Sequence, residues 1–459
     1  WYKFSSLAVR FALQRLRKTH PSSTVFFTLN LLYFAPYFIR FTVIMPDSSL
    51  PLAQTSSPKI AIIGGGLTGL FTATLLERAF SQMNDQKIND QKINDKALIP
   101  EITIFEKSRS VGRLATRYRT DSHTNKNWQW AFGAQFFTAK STSFQQFIKP
   151  WIQTGLLQPW CAQVVSLTPI DANNQTADIQ AKEQWSRVQA RYISTPKMTS
   201  WGRALADELQ YTTITFKTRV APLVQRNQTL ANKVSKKTSQ KTELFDENDN
   251  SLGSFDWVIC TAPNAQAVEL MANSGFSELA KITEPQMQAC YTLMLGWDDK
   301  QPLPESLKYQ EMVWDVAYVQ DSILDRIFIE QQKPAHNELL PSITIHARND
   351  WSEQHVDADM DTIKAQLLAA AKQALGWNAD STPSQIDCHR WRYAATVKVS
   401  NTDSNNTDAN KEAGGILVDN EQKWIVSGDW CGQGNIESCY QMATQTVARI
   451  YARSLISAD

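Results

Sequence analysis

Residues 59–69, Lys-Ile-Ala-Ile-Ile-Gly-Gly-Gly-Leu-Thr-Gly, restrict the fold of this chain more than any other stretch. An apolar, β-prone run from Ile60 to Ile63 stops at a glycine cluster. A helical pattern follows, with Leu67, Leu70, Phe71, Leu75 and Leu76 on one face. Gly64, Gly66 and Gly69 spell G-x-G-x-x-G in a strand–turn–helix context, the opening of a dinucleotide-binding βαβ unit. The first glycine permits the tight turn, the second lets backbone approach a pyrophosphate, and the third lets the helix pack close to the strand. The N–H groups of the first helical turn, around Leu67 and Thr68, then meet the phosphates with the positive end of the helix dipole.

A second strand is expected over Glu101-Ile102-Thr103-Ile104-Phe105-Glu106. Glu106, with Lys107 beside it, stands where a ribose-binding carboxylate belongs, about 20 residues past the glycines in the usual spacing. Here the gap is far longer. The excess is Asn84-Asp85-Gln86-Lys87-Ile88, repeated as Asn89-Asp90-Gln91-Lys92-Ile93 and begun again at Asn94-Asp95. This polar tandem repeat reads as a loop expansion between helix and strand. Without it the spacing is ordinary.

Further along come Ser110-Val111-Gly112-Arg113, Phe132-Gly133-Ala134-Gln135-Phe136-Phe137 and Trp424-Ile425-Val426-Ser427-Gly428-Asp429-Trp430-Cys431-Gly432. With Arg219-Val220, Val258 to Pro263, His346-Ala347, Trp351-Ser352 and Arg390-Trp391-Arg392-Tyr393-Ala394, these motifs resemble FAD-dependent oxidoreductases of the flavin amine-oxidase superfamily, most closely its renalase-like branch. The resemblance runs over about residues 58–455. Three departures stand out. Val111-Gly112-Arg113 replaces the usual Gly-Gly-Arg, Ala131 stands where an acid usually precedes Gly-Ala-Gln, and Ser438-Cys439 replaces small residues after Glu437.

The resemblance implies an α/β fold: a Rossmann-type FAD-binding lobe and a second, α+β substrate lobe on a mixed or antiparallel sheet. The FAD lobe is expected to be discontinuous, over 58–140, 192–262 and 415–459, with the substrate lobe over 141–191 and 263–414. Strands are expected at Trp257–Cys260 and 423–429, and a helix from about Ile436. In the second lobe, Trp297, Val313-Trp314, Ile327 to Ile329 and Ile343 to His346 read as sheet strands, and Thr362 to Leu375 as an amphipathic helix. The polar stretches 170–184, 225–252 and 401–413 read as hairpin loops.

Composition fits a large enzyme. The chain has 459 residues, 42% of them hydrophobic and 20% charged, enough for a substantial core. A net charge of +1 gives no signature of nucleic-acid binding. The six cysteines show neither C-x-x-C nor metal-ligand spacing, and read as reduced thiols of a cytoplasmic protein. Residues 1–44 are a basic segment with six Lys and Arg and no acid, leaving 40 bases against 45 acids elsewhere. The apolar run from Thr24 is broken by Asn30 and Pro36, too short for a span of about 20 residues. Residues 1–57 are therefore taken as a tail. The simplest reading starts translation at Met45 and the alternative is a membrane-surface anchor.

The resemblance also assigns roles. Gly112 and Arg113 face the pyrophosphate or the flavin edge, and Val220 meets the adenine through its backbone. Gly428 and Asp429 hold ribityl or ribose hydroxyls. Asn435, Ile436 and Glu437 begin a helix aimed at the flavin N1–C2 carbonyl, where negative charge develops on reduction. Gln135, Phe136 and Phe137 line the flavin face, with Trp391 and Tyr393 framing the substrate from the second lobe. His346 reads as a core histidine and Cys431 as a buried thiol, so the FAD is expected to be non-covalent. The expected reaction takes a hydride from a small substrate, a dihydronicotinamide such as an NAD(P)H isomer, and passes the electrons to O2, giving H2O2. The alternatives are a flavin amine oxidase and a non-catalytic or membrane-tethered FAD-binding protein.

Overall fold

In the computed structural model, the five residues Lys59–Ile63 form the hub of a six-stranded sheet. The structure describes residues 27–29, 41–43, 57–89, 99–109, 112–170, 177–224, 241–283, 287–298, 304–310, 312–377, 379–397 and 414–456. In space the sheet runs Thr212–Phe216, Glu101–Glu106, Lys59–Ile63, Trp257–Cys260, Trp424–Val426 and Leu417–Asp419. The first five strands are parallel and the last is antiparallel. The buried Ile60, Ile62, Ile102 and Ile104 on one face, and Ala61, Ile63 and Phe105 on the other, make these strands apolar on both faces, as a sheet covered on both sides requires.

A seven-stranded mixed sheet follows the order Asp178–Gln184, Gln163–Thr168, Val316–Val319, Leu324–Ile329, Ser342–Ala347, Met287–Gly296 and Gln385–Thr396. Only the second and third of these strands pair in parallel. Its long final strand lies at the edge, paired to Met287–Gly296 alone. The helix Met360–Leu375 covers this sheet and is capped by Asp359, whose carboxylate accepts the N–H groups of Asp361 and Thr362. One apolar cluster runs from Ile60, Phe71 and Trp201 to Val164, Val316 and Phe328, joining the two sheets.

By compactness the chain falls into two units, Trp1–Gln54 with Leu455–Asp459, and Thr55–Ser454. The first contains an antiparallel pair of short strands, Phe27–Leu29 and Phe41–Val43. The rest of the 1–57 tail lies outside the described residues, as does the polar run 401–413. Among the described residues no helix is long and apolar enough to cross a membrane.

Four expectations need correction. The helix after the glycines runs from Leu67 through Asn89, so the first copy of the repeat continues the helix and is not a loop. No Gly or Pro interrupts residues 70–89, and a polar sequence without a breaker can prolong a helix already nucleated by its apolar end. Residues 90–98 lie outside the described ones. Met312–Val313 pairs with Lys308–Tyr309 in a separate ribbon, while Val316–Val319 takes the sheet position. Trp297 lies just beyond the strand that ends at Gly296. Finally, Asp178–Gln184 is an edge strand, exposed along nearly its whole length, and 242–255 is a hairpin of two strands.

Candidate functional site

Gly64 follows its strand at φ +118°, a conformation that side chains disfavour, and its N–H donates to Phe105 O at 2.9 Å. A side chain at Gly69 would collide with the Gly64 carbonyl oxygen, so only glycine lets the helix sit this close to the turn. At Gly66 an added Cβ would meet nothing within 4 Å, so the second glycine faces open space. Gly112 packs beside it, its would-be Cβ 3.3 Å from Gly66 Cα. Leu67 packs on the core and Thr68 is buried, so at the helix start their backbone N–H groups, lacking in-helix acceptors, are what the chain offers a ligand.

Glu106 ends its strand buried beside this turn. Its carboxylate accepts the Gly65 N–H at 2.7 Å and the Ser108 N–H at 2.8 Å, while Lys107 is exposed. The acid thus fastens the glycine turn to the neighbouring strand end. Val220 forms an isolated bridge with Asp246, and the adjacent Ala221 N–H donates to Phe245 O at 2.8 Å.

Arg113 and Asp429, 316 positions apart, meet in an ion pair with Nη2 2.6 Å from Oδ1. Arg113 Nη1 also donates to Ala394 O at 3.2 Å, on the edge strand of the second sheet. Gly428 is held tight, since a side chain there would strike the Trp430 indole. The helix Ile436–Ile456 starts at Asn435, whose Oδ1 accepts the Ser438 N–H at 2.9 Å. Glu437 accepts the Lys140 and Ser141 N–H groups at 2.8 and 2.7 Å, tying this helix to the start of helix Thr142–Gln153. Burial pushes the thiols of Cys431 and Cys439 up to about 12, which leaves them protonated and inert.

Gln135 is buried at the centre of a polar knot. Its Oε1 accepts from Lys333 Nζ at 2.8 Å, and Nζ also pairs with Glu330 Oε1 at 2.8 Å. An ammonium can only donate, so this contact fixes the amide: Nε2 donates to Ala131 O and faces His346 Nε2 at 3.2 Å. His346 Nε2 is then an acceptor and its ring proton lies on Nδ1. Burial, then Arg326 and Lys333, hold His346 down to about 3, so the ring is neutral. Burial also lowers Lys333, against the upward pull of Glu330.

Phe136 meets Trp185 edge-on, 4.7 Å between centroids. Phe137 is a core residue, stacked on Trp201 at 5.0 Å and 12°. Trp391 and Tyr393 are half-buried on the Gln385–Thr396 strand, whose pairing to Met287–Gly296 shifts register between Trp391 and Ala395. The Trp391 indole donates to Phe132 O at 2.8 Å and stacks on the Phe132 ring. Tyr393 packs against the cluster containing Val258 and Trp430. The structure therefore gathers the glycine turn with Glu106 and Gly112, and separately joins Arg113 to Asp429 and to the Trp391 strand. Glu330, Lys333 and His389 escaped the sequence reading, and Phe132 stood in a motif without a role of its own. The one available signal was the Glu330/Lys333 spacing of three, which on its own looks like a surface pair.

No protein-family model matches the chain. Solved structures do match it along most of its length. A reduced UDP-galactopyranose mutase aligns with TM-score 0.58 at 12% identity, over 88% of this chain and 98% of that one. Putrescine oxidase bound to putrescine aligns with TM-score 0.55 at 10% identity, over 86% and 99%. Cyclohexylamine oxidase from Brevibacterium oxydans IH-35A aligns with TM-score 0.55 at 10% identity, over 86% and 100%. At such identities the likeness establishes a shared fold.

Proposed function

We propose that this protein is a flavoenzyme that holds FAD non-covalently and takes a hydride from a small dihydronicotinamide substrate. One observation carries the reading: the glycine turn, with Gly69 forced against Gly64 and Gly66 facing open space, stands beside Glu106 at the next strand end. This cradle suits a dinucleotide pyrophosphate, and a ribose hydroxyl could exchange with the backbone donors now on Glu106. Arg113 and Asp429 would hold the flavin half, and the Asn435-capped helix start would face its pyrimidine edge. The inert thiol of Cys431 supports a non-covalent group.

When bound, FAD supplies a two-electron acceptor that O2 can reoxidise with release of H2O2. The residues themselves bind, orient and exclude water. Trp391 and Tyr393 would place a flat ring, and Gln135, clamped by Lys333, would keep one fixed hydrogen-bonding pattern beside the site. Under this reading the six-stranded sheet belongs to the FAD lobe (58–140, 192–262 and 415–459) and the seven-stranded sheet to the substrate lobe. The unpaired cysteines fit the cytoplasm. The shared fold with cyclohexylamine oxidase and putrescine oxidase favours a second reading, an amine oxidase.

The test is an anaerobic titration of the purified yellow protein. Bleaching by dihydronicotinamides and not by amines supports the first reading, and the reverse supports the second. A colourless protein that takes up NAD and not FAD overturns both.

A further inference from the structure

We propose that Arg117, Arg119 and the Phe132–Trp391 stack bind the phosphate-bearing half of a pyridine-nucleotide substrate and thereby select anionic substrates over protonated amines. The inference rests on the dihydronicotinamide reading and names the subsite that would discriminate. Alternation along Gln385–Thr396 puts Asp387, His389 and Trp391 on one face. Arg390 and Arg392 point the other way, where they bond Val356 O and Asp357.

On the first face Trp391 stacks on Phe132 at 5.4 Å and 22°, and His389 meets both rings edge-on at 4.6 and 4.8 Å. The Arg117 guanidinium lies 5.0 Å above the Phe132 ring. Its Nη1 is 3.4 Å from Asp387 Oδ1, while Arg119 Nη2 is 3.1 Å from Asp387 Oδ2. Two guanidinium groups thus share one carboxylate and leave a surplus positive charge. That charge is reachable, because the Arg119 side chain is 48% exposed. His389 adds nothing to either sign: burial and then Arg117 hold it down to about 4.

Lys197 Nζ lies 4.7 Å from the ring centroid of Tyr118, the residue between the two arginines, and Arg113 stands four positions before Arg117, within about 14 Å along the chain. Asp429 already neutralises it. A protonated amine arriving here meets a cationic surface whose carboxylates are taken. A phosphate ester meets a planar fork matched to its oxygens, beside half-buried rings on which a flat base can stack.

The test compares equilibrium binding of nicotinamide mononucleotide and nicotinamide riboside, which differ by one phosphate, to the FAD-loaded protein by calorimetry. The wild type should prefer the mononucleotide, less so at high salt. Arg119→Gln and Arg117→Gln should each cut that preference at least tenfold, whereas Asp387→Asn, which frees both guanidiniums, should raise it. A strip that only braces the strand would make all three substitutions act in the same direction, and that result overturns the proposal. So does a wild type without preference. If the preference behaves as expected but dihydronicotinamides do not bleach the flavin, the subsite stands and the redox reading falls.

Discussion

Replacing Arg113 by alanine removes a side chain that bonds both Asp429 and the edge strand of the second sheet. The cost can be bracketed. A hydrogen bond to a charged group contributes about 1.5–3 kcal/mol, and breaking a fully buried ion pair costs about 3–5 kcal/mol. Asp429 has only 8% of its side chain exposed, but Arg113 has 32%, so water reaches the pair from one side. Screening places Arg113→Ala in the lower bracket, about 1.5–3 kcal/mol. Asp429→Asn should cost about 1 kcal/mol, because a neutral amide oxygen still accepts from the guanidinium. The double variant should cost less than the sum of the two, since the pair can be lost only once.

Urea unfolding at two FAD concentrations separates the two consequences, because flavin stabilises the folded chain by mass action. If Arg113 also holds the flavin, a loss of about 1.5–3 kcal/mol weakens FAD binding about 10- to 150-fold. Strict additivity of the two substitutions together with unchanged FAD affinity would refute the reasoning, for the pair would then be neither coupled nor part of the site.

Gly69→Val should yield protein with little FAD, because its side chain must displace the Gly64 carbonyl; a yellow variant of wild-type stability would exclude the close-packing argument. Trp391→Ala and Tyr393→Ala should retain FAD yet slow flavin reduction at least tenfold in stopped-flow, and wild-type rates in both would move the substrate pocket elsewhere. Lys333→Met should destabilise by about 3–5 kcal/mol because Glu330 is left buried without its cation, with most of the loss recovered in the Glu330→Gln, Lys333→Met double variant. Stability should fall on acidification from pH 6 to 4.5. His346 and His389, lowered to about 3 and 4 chiefly by burial, contribute stability present above 6.5 and lost as pH falls. Asp315, raised to about 6 by burial, contributes stability present below 3.8 and lost as pH rises through 6. Burial lowers His336 as well, in the same sense as His346 and His389, so the net slope near pH 5 is at least about 1.4 kcal/mol per pH unit, and a flat urea-midpoint profile there would contradict these assignments.

The glycine turn was legible because its signal is local. Ile60 to Ile63, three glycines and the Leu67–Leu76 face lie within eighteen residues, and each obeys a short-range rule. Strands Trp257–Cys260 and Trp424–Val426 were legible as apolar runs bounded by turn residues. Phe137 was legible only as a flat apolar residue, because its neighbours are aromatic: the sequence does not tell a cofactor wall from a stack on Trp201. Lys333 and Glu330 could not be read, since a charged residue near polar neighbours predicts a solvated surface. Only the tertiary fold, which brings Gln135 from 198 positions away, makes them core. The extended first helix failed for a related reason. Polar repeats lack periodicity whether they are looped or helical, and the apolar turns before them decide.

Three long-range contacts tie the candidate site together: Arg113 to Asp429, Lys333 to Gln135, and Trp391 to Phe132 across 259 positions. Each is a directed hydrogen bond, and two of the three involve a cation, so the three crossing segments are held in one geometry. By contrast, four of the titratable groups gathered there are poorly placed to move protons near pH 7. His346 and His389 stay neutral because their rings are buried, and Cys431 and Cys439 stay protonated for the same reason. General acid–base catalysis wants a pKa near the working pH, which none of these four groups has. Oxidation of an amine must first strip a proton from a substrate that is cationic in water. Hydride transfer from a dihydronicotinamide requires no such step, only a donor carbon held about 3–3.5 Å from its acceptor in the right orientation. On the reading proposed above the fixed contacts suit the second kind of chemistry, and Lys333, which burial lowers, is the group an amine oxidation would use as its base.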